Sequence, residues 1–293
     1  MNRMKNVIKT CLILLSAFVV LNNSLVMAEE IVAEEEKLVP TDFSFDDYEG
    51  LLKKYVDDNG LVNYAGLMTE KKVLDDFVIR LGKIDVNKYR KWYDNDKFAL
   101  WLNAYNAFTL KVVLDNYPIK PSFLNSFRYP KNSIAQIPKV WNDKFFPILG
   151  WSMTLHGIQS DVLRAQFGYP RMYLALCMGA LSSPRLRNEA YKGDIIDEQF
   201  KHQTIRFLND PTKFKLDKEK NILYISEIFK WYGSDFMQKY GTDNISSGIM
   251  VTIKASLNYL RKFMSKEDND YISNGTFEVE YLPYDWTLNE QPK

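Results

Sequence analysis

"DKFALWLNAYNAFTLKVVLDNYP" (residues 96–118) is the stretch on which the fold turns. Its apolar side chains recur nearly all the way round a helical wheel, so a helix here has no solvent face and belongs at the centre of a domain. Asp96 suits the N-cap and Pro118 marks the exit. Two amides interrupt the apolar surface, Asn103 and Asn106, spaced to share one face. A buried amide needs hydrogen-bond partners. The pair either ties neighbouring loops to the helix or faces a substrate.

Outward from this helix the signals are shorter. On its N-terminal side, Phe45, Tyr48, Leu52, Tyr55 and Val56 form a helical stripe across 43–56. "DDNGLVNYAGL" (57–67) stops that helix and holds a short extended piece, and a second helix fits 69–82 with Gly82 after it. On the C-terminal side, 119–150 is aromatic and proline-rich with little period, a long ordered loop with a short hairpin around 140–152. Thr154 opens a helix that Gly168 closes. "RMYLALCMGA" (171–180) reads as a buried strand, 194–209 as a helix capped by Asp194, and 213–233 as two strands around a Lys-rich turn. An amphipathic helix over 248–264 and a closing strand within 276–289 complete the order. No internal repeat or linker appears, which predicts a single α+β domain. In it, a central buried helix is surrounded by other helices and a small, mainly antiparallel sheet.

The composition is that of a globular protein: 293 residues, 46% hydrophobic and 26% charged. A formal charge of +1 gives no overall bias toward nucleic acid or an anionic membrane surface. Residues 1–28 resemble an export signal: Arg3, Lys5 and Lys9, then the apolar "CLILLSAFVVL" (11–21), then Val26-Met27-Ala28. Cleavage there leaves a periplasmic or secreted chain without a stable membrane span, with a mobile extension over 29–42 and one domain over 43–290. A signal retained as an anchor is the alternative. Cys177 is then the one cysteine left, so no intramolecular disulfide forms. It is either a small buried hydrophobe or a functional thiol. With His156 and His202 the only histidines, a histidine-rich metal site is excluded, and no cofactor motif is present. His202 fits an exposed helix position.

Four stretches together resemble the family catalogued as domain of unknown function 547: "FALWLNAYNAFTLKVVL", "MTLHGIQSDVLRAQFGYPRMYLALCMGALSSPRLRNEAY", "ISEIFKWYGSDF" and "YLPYDWTLN". They run in the family's order across roughly residues 45–290. The resemblance implies an outline loosely like papain and transglutaminases, with a cysteine-nucleophile ancestry. Family members read Leu-x-x-Ile-Glu-His-x-x-Leu-Arg where this chain has Leu155 to Arg164. Arg164 matches, but Gln159 and Ser160 stand at the Glu and His positions. Where the family has Pro-Arg-x-His, Arg171 is kept and Tyr173 replaces the histidine. Where it has Ser-Cys-Pro, this chain has Ser182, Ser183 and Pro184, with Met178 at a second cysteine position.

A cysteine nucleophile needs a favoured thiolate and a histidine base held by a carboxylate. Gln159 does not ionise, a serine hydroxyl is a far weaker acid than a thiol, and a tyrosine ordinarily titrates near ~10. The leading expectation is therefore a non-catalytic exported protein that binds a ligand or protein partner in the old cleft, with no nucleic acid involved. Cleft candidates are Asn103, Asn106, Gln159, Ser160, Arg164, Arg171, Tyr173 and Asp285. The competing expectation is a serine- or cysteine-type hydrolase or acyl-transfer enzyme using Ser183, with His156 as a relocated base oriented by Asp161 or another carboxylate. Ser183 followed by Pro184 also fits a plain helix start. Arg164, Arg171 and Arg187 either grip an anion or satisfy Asp285 and backbone carbonyls inside the fold.

Overall fold

The central helix forms as its apolar surface predicts. α5 (Asp94–Leu114) buries all but four of its 21 residues, and it follows α1 (Asp46–Tyr55), α2 (Tyr64–Thr69), α3 (Lys71–Gly82) and α4 (Val86–Arg90). The computed structural model describes residues 37–241, 248–274 and 276–292, so the export-signal stretch and most of the extension lie outside the described residues. Pro40–Lys293 form one compact unit. α5 packs against α3 and against the segments Ile158–Phe167 and Gly193–Ile195. Asp96 is not its cap, since the helix begins two residues earlier. Its carboxylate instead accepts from Thr41 N at 3.1 Å. Gly82 closes α3 from within rather than following it.

After α5 the long loop is ordered by short 3-10 turns and ends in the hairpin β1 (Phe146–Ile148) and β2 (Trp151–Met153), paired Phe146 to Met153. α6 (Leu155–Gly157) runs on into a π-helix, Ile158–Phe167, which stops at Gly168 with φ 60°. α7 (Ile196–Leu208), β3 (Phe214–Asp217), β4 (Ile222–Ser226), α8 (Ile228–Tyr240), α9 (Val251–Leu260), α10 (Lys266–Asn274) and β5 (Glu278–Leu282) follow. β3 and β4 are antiparallel, whereas β5 joins β4 in parallel. The molecule is thus a single α+β domain with two small sheets rather than one.

Three further local expectations fail. Residues 171–180 are not a strand: Pro170–Leu174 is a 3-10 turn and only Ala180 makes a bridge, to Leu288. The run is buried, and two of its backbone groups are satisfied by one side chain rather than by a neighbouring strand. Asn106 Oδ1 accepts from Cys177 N (2.9 Å) and its Nδ2 donates to Ala175 O (3.1 Å). Asp194 lies in a 3-10 turn before α7, whose N-cap is Ile195. Ser183–Pro184 starts no helix, and residues 184–187 continue as irregular chain.

Residues 285–291 clasp distant parts of the unit together. Val62 N donates to Asn289 O (2.8 Å) and Gln291 N to Val62 O (3.0 Å). Leu288 N donates to Asn132 O (2.8 Å), and Leu181 N to Thr287 O (2.8 Å). Close packing beneath the clasp requires a glycine at 60. Its φ is 75°, and a Cβ there would lie 2.7 Å from Arg185 Cβ and 2.9 Å from Leu186 N. Gly60→Ala is expected to destabilise by more than about 1 kcal/mol, combining left-handed strain with a backbone clash. Urea unfolding reads this as a lower midpoint at unchanged slope.

Candidate functional site

The π-helix, the 3-10 turn at Pro170–Leu174 and α8 bring several predicted side chains together. Thr154 Oγ1 accepts from Gly157 N at 3.0 Å, fixing the start of the helical segment that carries Gln159, Ser160 and Arg164. π-helical turns widen the backbone and recur at functional sites. Tyr173 lies flat against Tyr232 of α8, with ring centroids 4.0 Å apart at an interplanar angle of 5°. Its hydroxyl donates to Asp235 Oδ2, and Arg164 Nε pairs with the same oxygen at 3.2 Å. Burial, and then the Asp235 carboxylate, push the Tyr173 phenol far above its ordinary range. Tyr173 is therefore a fixed neutral donor, not a proton acceptor.

Two cavities meet at this stacked pair. One, of about 340 Å³, is lined by Ser160, Arg164, Tyr173, Asp235 and their neighbours. The other, of about 300 Å³, is lined by Trp141, His156, Gln159, Met178, Trp231, Tyr232 and Trp286. The indoles support one another: Trp231 and Trp286 stack at 6.0 Å, and Trp141 meets Trp286 edge-on at 5.5 Å. Burial raises the Tyr232 phenol, although a hydrogen bond from Gln159 opposes the rise. A larger cavity of about 730 Å³ lies between residues 40–46, Tyr93–Asp96 and Lys192–Asp194, and none of the predicted candidates lines it.

The two catalytic candidates line different cavities and share no hydrogen bond. His156 is exposed at the aromatic cavity, and its backbone N donates to Trp141 O at 2.9 Å. Asp161 does not orient it, because its carboxylate accepts from Ser160 Oγ at 2.6 Å. Ser183 is 2% exposed and lines a different cavity, of about 600 Å³. Its Oγ accepts from Met178 N (3.1 Å) and Ala180 N (3.2 Å), and lies 3.1 Å from Tyr284 Oη. With both lone pairs engaged, the hydroxyl proton points at Tyr284. That phenol is pushed far above its ordinary range, first by burial. The serine binds a turn behind it; it caps no helix ahead of it.

The remaining candidates sit elsewhere. Asn103 donates to Tyr191 O (2.8 Å) and accepts from Tyr191 N (2.9 Å), so it and Asn106 are both taken up by backbone. Arg171 pairs with Asp197 and lies over the Phe200 ring at 4.5 Å, while Arg187 donates to Gln199 O at 3.2 Å. None of these arginines meets Asp285, whose exposed carboxylate accepts from Thr287 N at 2.8 Å. Cys177 is 2% exposed, and burial pushes its thiol up to about 11. His202 is exposed on α7.

Trp231, Tyr232, Asp235 and Tyr284 were missed as site residues. The available signal was the spacing in "FKWYGSDF", which puts Asp235 one turn beyond Trp231 and Tyr232. Among the described residues no group of His, Cys, Asp and Glu could hold a metal ion, and no helix is long and apolar enough to cross a membrane.

Residues 89–208 match the model of the family described as "Protein of unknown function, DUF547". The match takes in α5, the π-helix, Tyr173 and Ser183, and ends before Trp231, Asp235 and Tyr284. No curated protein and no solved structure matches the chain.

Proposed function

From a chain carrying a DUF547 region over 89–208, we propose a non-catalytic, exported binding protein that takes a small neutral ligand in the aromatic cavity. One observation carries this reading: Trp141, Trp231, Trp286 and Tyr232 wall a cavity whose polar groups are His156 and Gln159. Its lining holds no Lys, Arg, Asp or Glu. Such a site suits a ring with an apolar face to lay on an indole and hydroxyls along its edge, as in a neutral saccharide. The absence of chemistry rests on the substitutions at 159, 160, 173 and 183, and on a buried Ser183 whose Oγ is taken up by Met178 N, Ala180 N and Tyr284.

Titrating the full chain with neutral disaccharides, read by tryptophan fluorescence, tests the reading. Saturable quenching is expected, with Trp231→Ala weakening it about tenfold, the worth of one stacked ring. Unchanged fluorescence across the panel at millimolar sugar would refute it. Export is tested separately by N-terminal sequencing of the protein from the cell envelope. A start near Glu29 supports it, and an intact Met1 in the cytoplasmic fraction overturns it.

A further inference from the structure

We propose that the turn bearing Phe123, Leu124 and Phe127 is a docking tip for anionic lipid surfaces. These side chains are 81%, 79% and 84% exposed. Single exposed apolar residues are ordinary, but three within five positions form a patch. Phe123 and Phe127 meet edge to face at 5.7 Å, so the patch is one body.

The exposure does not follow from a loose loop. Buried Gln136 accepts from Ser122 N (2.8 Å) and donates to Tyr129 O (3.1 Å) and Pro130 O (2.9 Å). Asn125 Nδ2 donates to Ala135 O at 2.9 Å. The base of the turn is pinned from below while its apolar side chains stand outward.

Charge identifies the occupant. The net +1 of the whole chain conceals a local bias: residues 116–142 contain Lys120, Arg128, Lys131 and Lys139 and no acidic residue. Lys120, Arg128 and Lys131 are exposed, and none of the three forms an ion pair with a described carboxylate, while Lys139 pairs with Asp143. Three apolar side chains supply on the order of 500 Å², short of the ~800 Å² that each partner contributes to a standard protein interface. An apolar tip within a cationic surround instead fits an interfacial membrane contact, where insertion and headgroup attraction are each marginal alone and add together.

The test uses the full chain with Cys11→Ser and Leu124→Cys, labelled at position 124 with a polarity-sensitive nitrobenzoxadiazole dye. The buried Cys177 is shielded from the label. Vesicles of mixed phosphatidylglycerol and phosphatidylcholine are expected to shift the emission to the blue, and added salt to reverse the shift. Lys120→Gln/Arg128→Gln/Lys131→Gln, all at exposed positions, should weaken partitioning roughly a hundredfold. No shift with the mixed vesicles overturns the proposal and leaves a protein partner as the alternative. An equal shift with pure phosphatidylcholine, unaffected by the triple substitution, overturns the anionic assignment. A shift that grows with protein concentration in the absence of vesicles assigns the patch to a second copy of the chain.

Discussion

Asp210→Asn is expected to lower stability by about 3–5 kcal/mol, the cost of leaving the buried Lys213 ammonium, with the half-buried Arg185 beside it, without their counter-charge. Asp210 Oδ2 receives Lys213 Nζ at 3.0 Å and Arg185 Nη2 at 3.0 Å, while Thr212 donates its hydroxyl to Oδ1 at 2.6 Å. The side chains of Asp210 and Lys213 are 6% and 3% exposed, so water cannot take over. Lys213 also donates to Leu181 O at 3.0 Å, which carries the loss into the turn that holds Ser183. In thermal unfolding the change corresponds to a drop of roughly 10 °C. Lys213→Met should cost less, because Arg185 still faces the carboxylate. A loss for Asp210→Asn below about 1 kcal/mol would show the cluster to be hydrated.

The same cluster sets an acid limit. Burial alone would raise the Asp210 carboxyl, but Thr212 and the Lys213 ammonium outweigh it and hold the group at about 2. The unfolded chain, with an ordinary carboxyl near ~3.9, binds the proton first as pH falls. This contribution is therefore complete above about pH 4 and disappears as pH drops toward 2, amounting to roughly 2–3 kcal/mol. Stability measured from pH 5 to 2 should fall less steeply in Asp210→Asn than in the parent.

Ser183→Ala is the second large effect, expected to cost about 2–4 kcal/mol. Removing Oγ orphans two backbone N–H groups, Met178 and Ala180, in a site only 2% exposed, at about 1–3 kcal/mol each. Tyr284 loses its hydroxyl partner as well. A catalytic serine predicts the opposite pattern: little change in stability, and covalent labelling of the parent by a fluorophosphonate probe. Intact-mass measurement decides. Labelling of the parent that Ser183→Ala abolishes would reinstate the hydrolase reading of the site.

The central helix was legible because an all-round apolar surface over 21 residues admits little else. The hairpin, the strands of 213–226 and the helical segment that Gly168 stops were equally local, carried by alternation and turn chemistry, although the π winding of that segment was not foreseen. Residues 171–180 were not. An apolar run lacks the period that separates a strand from any other buried segment, and its partner is an amide on a helix about seventy positions away. Ser183 failed for a related reason. Ser-Pro suits a helix start, but here the hydroxyl turns backward to Met178 and Ala180, a preference invisible until Tyr284 arrives from far along the chain. Gln159, Ser160, Arg164 and Tyr173 were placed in one region by family resemblance, whereas Asp235 and Tyr232, which hold Arg164 and Tyr173, are marked in the sequence only by their one-turn spacing.

The clasp formed by residues 285–291 also has a consequence in time. Its hydrogen bonds reach Val62, Asn132, Gly179 and Leu181, so α2, the long loop and the Ser183 turn all await one late segment. During synthesis from the N-terminus, the ribosome emits all of these partners long before the segment that joins them. A nascent chain stalled before residue 285 would leave Val62, Asn132, Gly179 and Leu181 without that segment and open to proteases, and emergence of residues 285–291 would convert it abruptly to a resistant form.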